Sequence, residues 1–173
     1  MTYLRSLLIL ILLSLHFGSY SQVNNNSAIT YKSVKGIALL TDDTATDKMG
    51  VYRQGKSLYG LSLSLDSNMH FRQRIYNCVG GEALDSGIWI VYKTGRIGLK
   101  SKSASQTFDV IKFSHYSICI PPKERAKFIN DFLRLQAKYK GIKPVDTGDL
   151  VLTLDDIVAY SLMNRYYLCD LRN

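Results

Sequence analysis

Residues 59–76 read Tyr59-Gly60-Leu61-Ser62-Leu63-Ser64-Leu65-Asp66-Ser67-Asn68-Met69-His70-Phe71-Arg72-Gln73-Arg74-Ile75-Tyr76. Tyr59, Leu61, Leu63 and Leu65 alternate with small residues, the period of a strand with one buried face. Asp66-Ser67-Asn68 is turn chemistry, since Asx side chains cap their own backbone and tolerate tight bends. Beyond it Met69, Phe71, Gln73 and Ile75 share one face, while His70, Arg72, Arg74 and Tyr76 share the other. The stretch is therefore a β-hairpin with an apolar side and a cationic side.

Working outward, the pattern repeats in shorter pieces. Gly36–Leu40 is a brief apolar run, and Asp42–Lys48 is a polar loop. Val79–Ser86 reads as a glycine-containing loop. Ile88–Tyr92 is a strand that holds the chain's one tryptophan, Trp89, and Lys93-Thr94-Gly95-Arg96 turns it back into Ile97–Lys100. Phe108–Phe113 and Ser117–Ile120 are further strands, so the region is an antiparallel meander of five or six strands. Pro121-Pro122 ends it and opens a helix to Lys140, with Gly141 as its C-cap. Phe128, Phe132, Leu135 and Tyr139 recur at helical spacing on one face. After a linker, Thr153-Leu154-Asp155-Asp156 has the form of an N-cap with acids in the first turn, predicting a second helix through about Leu168. The expected fold is α+β: an antiparallel β-meander, as an open curved sheet or partial barrel, with two C-terminal helices. Residues 22–35 are expected to be disordered or irregular and 36–173 to form one domain.

Leu61–Phe71 followed by Gly87-Ile88-Trp89 resembles the strand–turn–strand–Gly-x-Trp meander of small exported bacterial proteins with lipocalin-like sheets. The resemblance covers about residues 50–114. It implies a tryptophan plugging one end of the sheet, and either a small hydrophobic ligand or an envelope partner. No catalytic residue carries over. Two C-terminal helices, which a plain small barrel does not need, favour the open sheet.

The first 21 residues fit a secretory signal: Arg5, an apolar run from Leu7 to Phe17, then Gly18-Ser19-Tyr20-Ser21, with cleavage predicted after Ser21. The run is too short to span a bilayer. The expected location is periplasmic or secreted, with no transmembrane segment left in the mature chain. Asn25-Asn26-Ser27 matches a glycosylation sequon. In an oxidising compartment two of Cys78, Cys119 and Cys169 can pair, and the sequence does not choose which.

Composition narrows function by exclusion. At 46% apolar and 21% charged residues the 173-residue chain is neither disordered nor a polytopic membrane protein. Its formal net charge is +8, with a pI near 9.4, and the charge is uneven: residues 144–173 carry 2 basic and 5 acidic residues. Arg72 and Arg74 on a strand face, with Lys123, Lys127, Arg134 and Lys138 along the first helix, form a candidate surface for a polyanion. In an exported protein that means an envelope glycolipid, an acidic glycan or a protein partner; nucleic acid is not expected. The alternative is a carrier holding a small apolar ligand lined by Leu61, Leu63, Phe71 and Trp89. A third reading takes Asp146-Thr147-Gly148 as an aspartic-peptidase-like motif completed in a dimer. Neither a cofactor nor a metal site is implied, since His70, Cys78 and His115 lack local ligand spacing; the Gly-x-Ser-x-Gly of a serine hydrolase is absent too. Non-catalytic binding is the expected function.

Overall fold

A computed structural model describes residues 30–56, 58–146 and 151–172. The signal segment, its cleavage point and the sequon lie outside the described residues. Strands β1 (Ile37–Leu39), β2 (Gly50–Lys56), β3 (Tyr59–Leu65), β4 (His70–Asn77), β5 (Gly80–Val91), β6 (Ile97–Ser101), β7 (Ser105–Phe113) and β8 (Tyr116–Ile120) precede helix α1 (Arg125–Tyr139). The short strands β9 (Val145–Asp146) and β10 (Val151–Leu152), helix α2 (Leu154–Met163) and strand β11 (Tyr167–Asp170) follow.

The hairpin of the opening stretch forms as its alternation demands. Leu63, Leu65, Phe71 and Gln73 are buried, whereas His70, Arg72 and Arg74 are exposed. Leu65 stands opposite Phe71 and Leu63 opposite Gln73. Asp66 closes the turn, its Oδ1 accepting from the amides of Asn68 and His70.

The sheet is closed, which corrects the open or partial barrel expected from sequence. Going round, β2-β3-β4-β5-β6-β7-β8 run as neighbours, and β11 pairs with both β8 and β2. Eight antiparallel strands thus form a barrel, with β1 added to β7 beyond the stretch that pairs with β6. Two element assignments change with it. Gly80–Ser86 is strand, not loop, and pairs along β4 with a bulge that leaves Leu84 out of register. The second helix stops at Met163, and Tyr167–Asp170 is the closing strand.

Two cores result. The barrel interior holds Tyr52, Leu63, Leu65, Phe71, Trp89, Ile97, Leu99, Phe108, Val110, Cys119, Tyr167 and Cys169. The outer faces of β7, β8 and β11 carry Ile111, Phe113, Ile118, Ile120 and Leu168, which meet Phe128, Ile129 and Phe132 of α1 and Val158, Ala159 and Leu162 of α2. Helices are needed because these strands are apolar on both faces, and a bare outer face would expose a large apolar patch. Tyr31 and Val34, in the segment assigned to an irregular N-terminus, are buried in this outer core.

Buried charges pin the layers. Asp109 on β7, 1% exposed, accepts from Arg96 Nε at 2.8 Å and from Arg125 Nη2 at 2.7 Å, while Tyr31 Oη donates to it at 3.3 Å. One carboxylate so ties the N-terminal segment, the β5–β6 turn and α1 to the barrel. Asp156 of α2 is fully buried; it accepts from Tyr116 Oη at 2.6 Å and from both Thr153 N and Thr153 Oγ1 at 2.7 Å. Arg172, just past β11, reaches the same carboxylate at 3.3 Å.

One barrel end is sealed. Trp89 is fully buried there and donates from Nε1 to Asp66 O at 3.0 Å. Lys48, also fully buried, is caged by Asp42 O, Asp42 Oδ1 and Thr44 O within 3.0 Å. Gly95, at φ +78, lets the β5–β6 turn press on the Leu40 carbonyl where a Cβ would collide.

Two outcomes follow. Phe132→Ala removes a fully buried ring between helix and barrel and should cost about 3–5 kcal/mol of unfolding free energy, read from the urea midpoint. For Asp156, burial opposes ionisation, but the hydrogen bonds from Tyr116 and Thr153 with the Arg172 charge outweigh it and bring the carboxyl down to about 2. A depressed carboxylate stabilises the fold above its unfolded pKa of 3.8 and loses that contribution as pH falls toward 2. Urea midpoints should therefore drop between pH 4 and pH 2, and less steeply in Asp156→Asn.

Candidate functional site

The opposite end of the barrel is open. Strands β2 and β4 leave Gln54 and Gln73 there, β3 leaves Leu61, β7 begins at Ser105, and β8 passes through Pro121-Pro122 into α1. These elements enclose a cavity of about 710 Å³. Leu61, Gln73, Phe108, Cys119 and Tyr167 belong to the barrel side, and Lys123, Glu124, Arg165 and Tyr166 line it from the helix side.

The floor is polar at one spot. Gln73, 4% exposed, points its Nε2 at Tyr167 Oη, 3.5 Å away. Burial pushes the Tyr167 phenol up to about 12, so it is neutral and able to donate at ordinary pH. Tyr166 lines the cavity with a buried hydroxyl that makes no hydrogen bond among the described residues. Burial raises that phenol to about 12, with the Arg165 charge pulling the other way. On the helix side Arg165 Nε pairs with Glu124 Oε2 at 3.3 Å, and Gln54 Nε2 donates to Arg165 O at 2.6 Å. Lys123 is exposed and has no ion pair among the described residues. The lining thus combines an apolar floor, a few convergent polar groups and a cation at the lip.

Of the four residues expected to line a ligand, Leu61 reaches the cavity. Leu63, Phe71 and Trp89 lie deeper, fully packed between it and the sealed end. The six expected basic residues do not form one face. Arg72 and Arg74 project outward from β4, while α1 covers β7, β8 and β11, and β4 and β8 are four strands apart in either direction round the barrel. Along α1, Lys127 and Arg134 both pair with Asp131, at 3.4 and 3.2 Å, and Lys138 lies over the Tyr139 ring. Lys123 alone of the six lines the cavity. Asp146 is exposed on the two-residue β9, opposite Val151, while Thr147 and Gly148 lie outside the described residues.

Sequence reading missed the cavity because its lining comes from seven separate segments, and nothing local marks Gln54, Gln73 or Tyr166 as convergent. It also missed a line of nucleophile-type residues. Ser114 Oγ stands 3.2 Å from His115 Nδ1, and His115 Nε2 stands 3.1 Å from Asp156 Oδ1. That last approach lacks hydrogen-bond geometry, and Asp156 is already engaged by Tyr116, Thr153 and Arg172. Ser114, at φ +54, is the first residue of the tight β7–β8 turn. The line fits a turn resting on a helix cap better than an activated serine. Among the described residues, no cluster of His, Cys, Asp and Glu is arranged to hold a metal, and no helix is long and apolar enough to cross a membrane.

The closed antiparallel barrel is compatible with the lipocalin-like sheet that the meander resembles. Comparison with protein-family models, with curated proteins and with solved structures finds no match to this chain.

The cysteines are unpaired. Cys78 is exposed on the β4–β5 turn, while Cys119 and Cys169 face the barrel interior from adjacent strands. Burial pushes the Cys119 thiol far above its ordinary value and raises Cys169 as well. Because the thiolate is the reactive form, Ellman's reagent should titrate one thiol per native chain, and the other two only on unfolding.

Proposed function

We propose that the protein is a non-catalytic binding protein that takes a small amphipathic molecule at the open end of its barrel. The single observation supporting this is the cavity of about 710 Å³ with Leu61 and Phe108 in its lining, Gln73 and Tyr167 at its floor and Lys123 at its lip. Its size and mixed lining suit a small organic ligand. The floor is a packed core, not a deep tunnel, so the molecule sits in a cup and part of it stays near the helix side. The apolar part rests on Leu61, Leu84 and Phe108. An anionic group meets Lys123. This joins the two expectations from sequence, an apolar ligand and an anionic partner, in one molecule. Secretion is part of the proposal, resting on the pattern of residues 1–21.

Anilinonaphthalene sulfonate, an aromatic body with one anionic group, is a suitable probe. One equivalent should bind with a fluorescence rise. Leu61→Trp, which puts a larger ring into the cavity and narrows it, should weaken the signal, and Lys123→Glu should weaken binding about tenfold, the scale of one lost charge-assisted contact. Unchanged binding by Leu61→Trp, with the variant still folded, would sink the reading.

A further inference from the structure

Large apolar side chains are exposed at several places on the surface, and the most exposed of them gather at one end of the barrel. The four most exposed large ones among the described residues are Val79 at 92%, Leu58 and Tyr59 at 64% and Leu84 at 55%. All four belong to the open end. Leu58 and Tyr59 end the β2–β3 hairpin, and Val79 is the tip of the β4–β5 hairpin. The two hairpins are neighbours, since Tyr59 stands opposite Asn77 across β3 and β4. Val79 is held outward by a formed turn: its amide donates to Asn77 Oδ1 at 3.0 Å, and Gly80 follows at φ +152. Leu84 is the bulged residue of β5, and a bulge at a barrel rim re-aims a side chain. It also lines the cavity.

Cations flank these tips. Lys56 pairs in register with Tyr59, Arg74 reaches across to Gly81 O at 3.2 Å, and exposed Lys123 stands at the cavity lip. Against them stand exposed Glu82, Asp85, whose carboxylate is held by the Ser86 amide and Ser103 Oγ, and Glu124, which is paired with Arg165.

We propose that this end of the barrel docks on an anionic lipid bilayer, with Leu58, Tyr59 and Val79 entering the headgroup region. The tips belong to two neighbouring hairpin ends, Leu58 and Tyr59 on one and Val79 on the other. A protein partner would have to be moulded around each, whereas a bilayer interface is soft and admits all three together. Tyrosine suits that depth through its apolar ring and polar tip, and the neighbouring lysine and arginine meet anionic headgroups. Leu84 then puts the cavity mouth against the membrane. The inference does not depend on the cavity holding a ligand.

The test is co-sedimentation of the folded protein with vesicles of phosphatidylcholine containing one quarter phosphatidylglycerol. An environment-sensitive dye on Cys78, the exposed thiol beside Val79, reports contact. The wild type should sediment, less so with pure phosphatidylcholine, and the dye should shift to the blue. A Leu58→Asp, Val79→Asp double variant should lose at least tenfold in bound fraction, whereas Leu133→Asp on α1 should bind as the wild type does. Leu61→Trp should also keep its vesicle binding, separating this outcome from failure of the cup. Absence of sedimentation, sedimentation with an unshifted dye, or equal binding by the double variant would each overturn the proposal.

Discussion

Backbone hydrogen bonding at two strand edges governs this molecule. Strands β2 and β8 each present an edge whose amides and carbonyls need partners. The four residues of β11 meet both, with Leu168 opposite Ile118 on one side and Arg53 on the other. Remove that strand and the barrel is an open sheet with apolar residues on both surfaces. The C-terminal helices are then not an addition to the barrel but the route by which the chain returns to close it. They also cover the outer face that closure leaves apolar.

The two ends of the barrel differ for a packing reason. Large side chains fill the sealed end, where Trp89, Phe71 and Tyr52 meet and Lys48 is bound by carbonyls and Asp42. Toward the other end the inward residues become Gln73, Tyr167 and Cys119, which are smaller or polar. The entry of the chain into α1 at Pro121-Pro122 and its return at Arg165 hold the helix layer to one side. A cup remains between them. Adjacent hairpins project beyond it with their apolar tips in solvent, so cavity and candidate membrane surface share one end.

The hairpin at 59–76 was legible because period-two alternation on a half-buried sheet leaves no other register. Trp89 at a barrel end, the N-cap at Thr153 and the stop at Gly141 were legible for equally local reasons. Closure was not. Tyr166-Tyr167-Leu168-Cys169 is a short apolar run, and burial on both faces removes the alternation that separates strand from helix. Gly80–Ser86 was hidden by its glycines and by the bulge at Leu84. Basic residues far apart in sequence looked like one surface, and only the circular strand order shows that Arg72 and Arg74 stand across the barrel from α1. The cup could not be read from any one segment because it is defined by which strands become neighbours.

Closure by β11 is the claim on which cup, helix layer and rim all rest, and inter-strand backbone NOEs test it directly. Contacts from Leu168 to both Ile118 and Arg53 are the predicted result. Contacts to Ile118 alone, with rapid amide exchange along the free edge of β2, would mean an open sheet and would contradict the account.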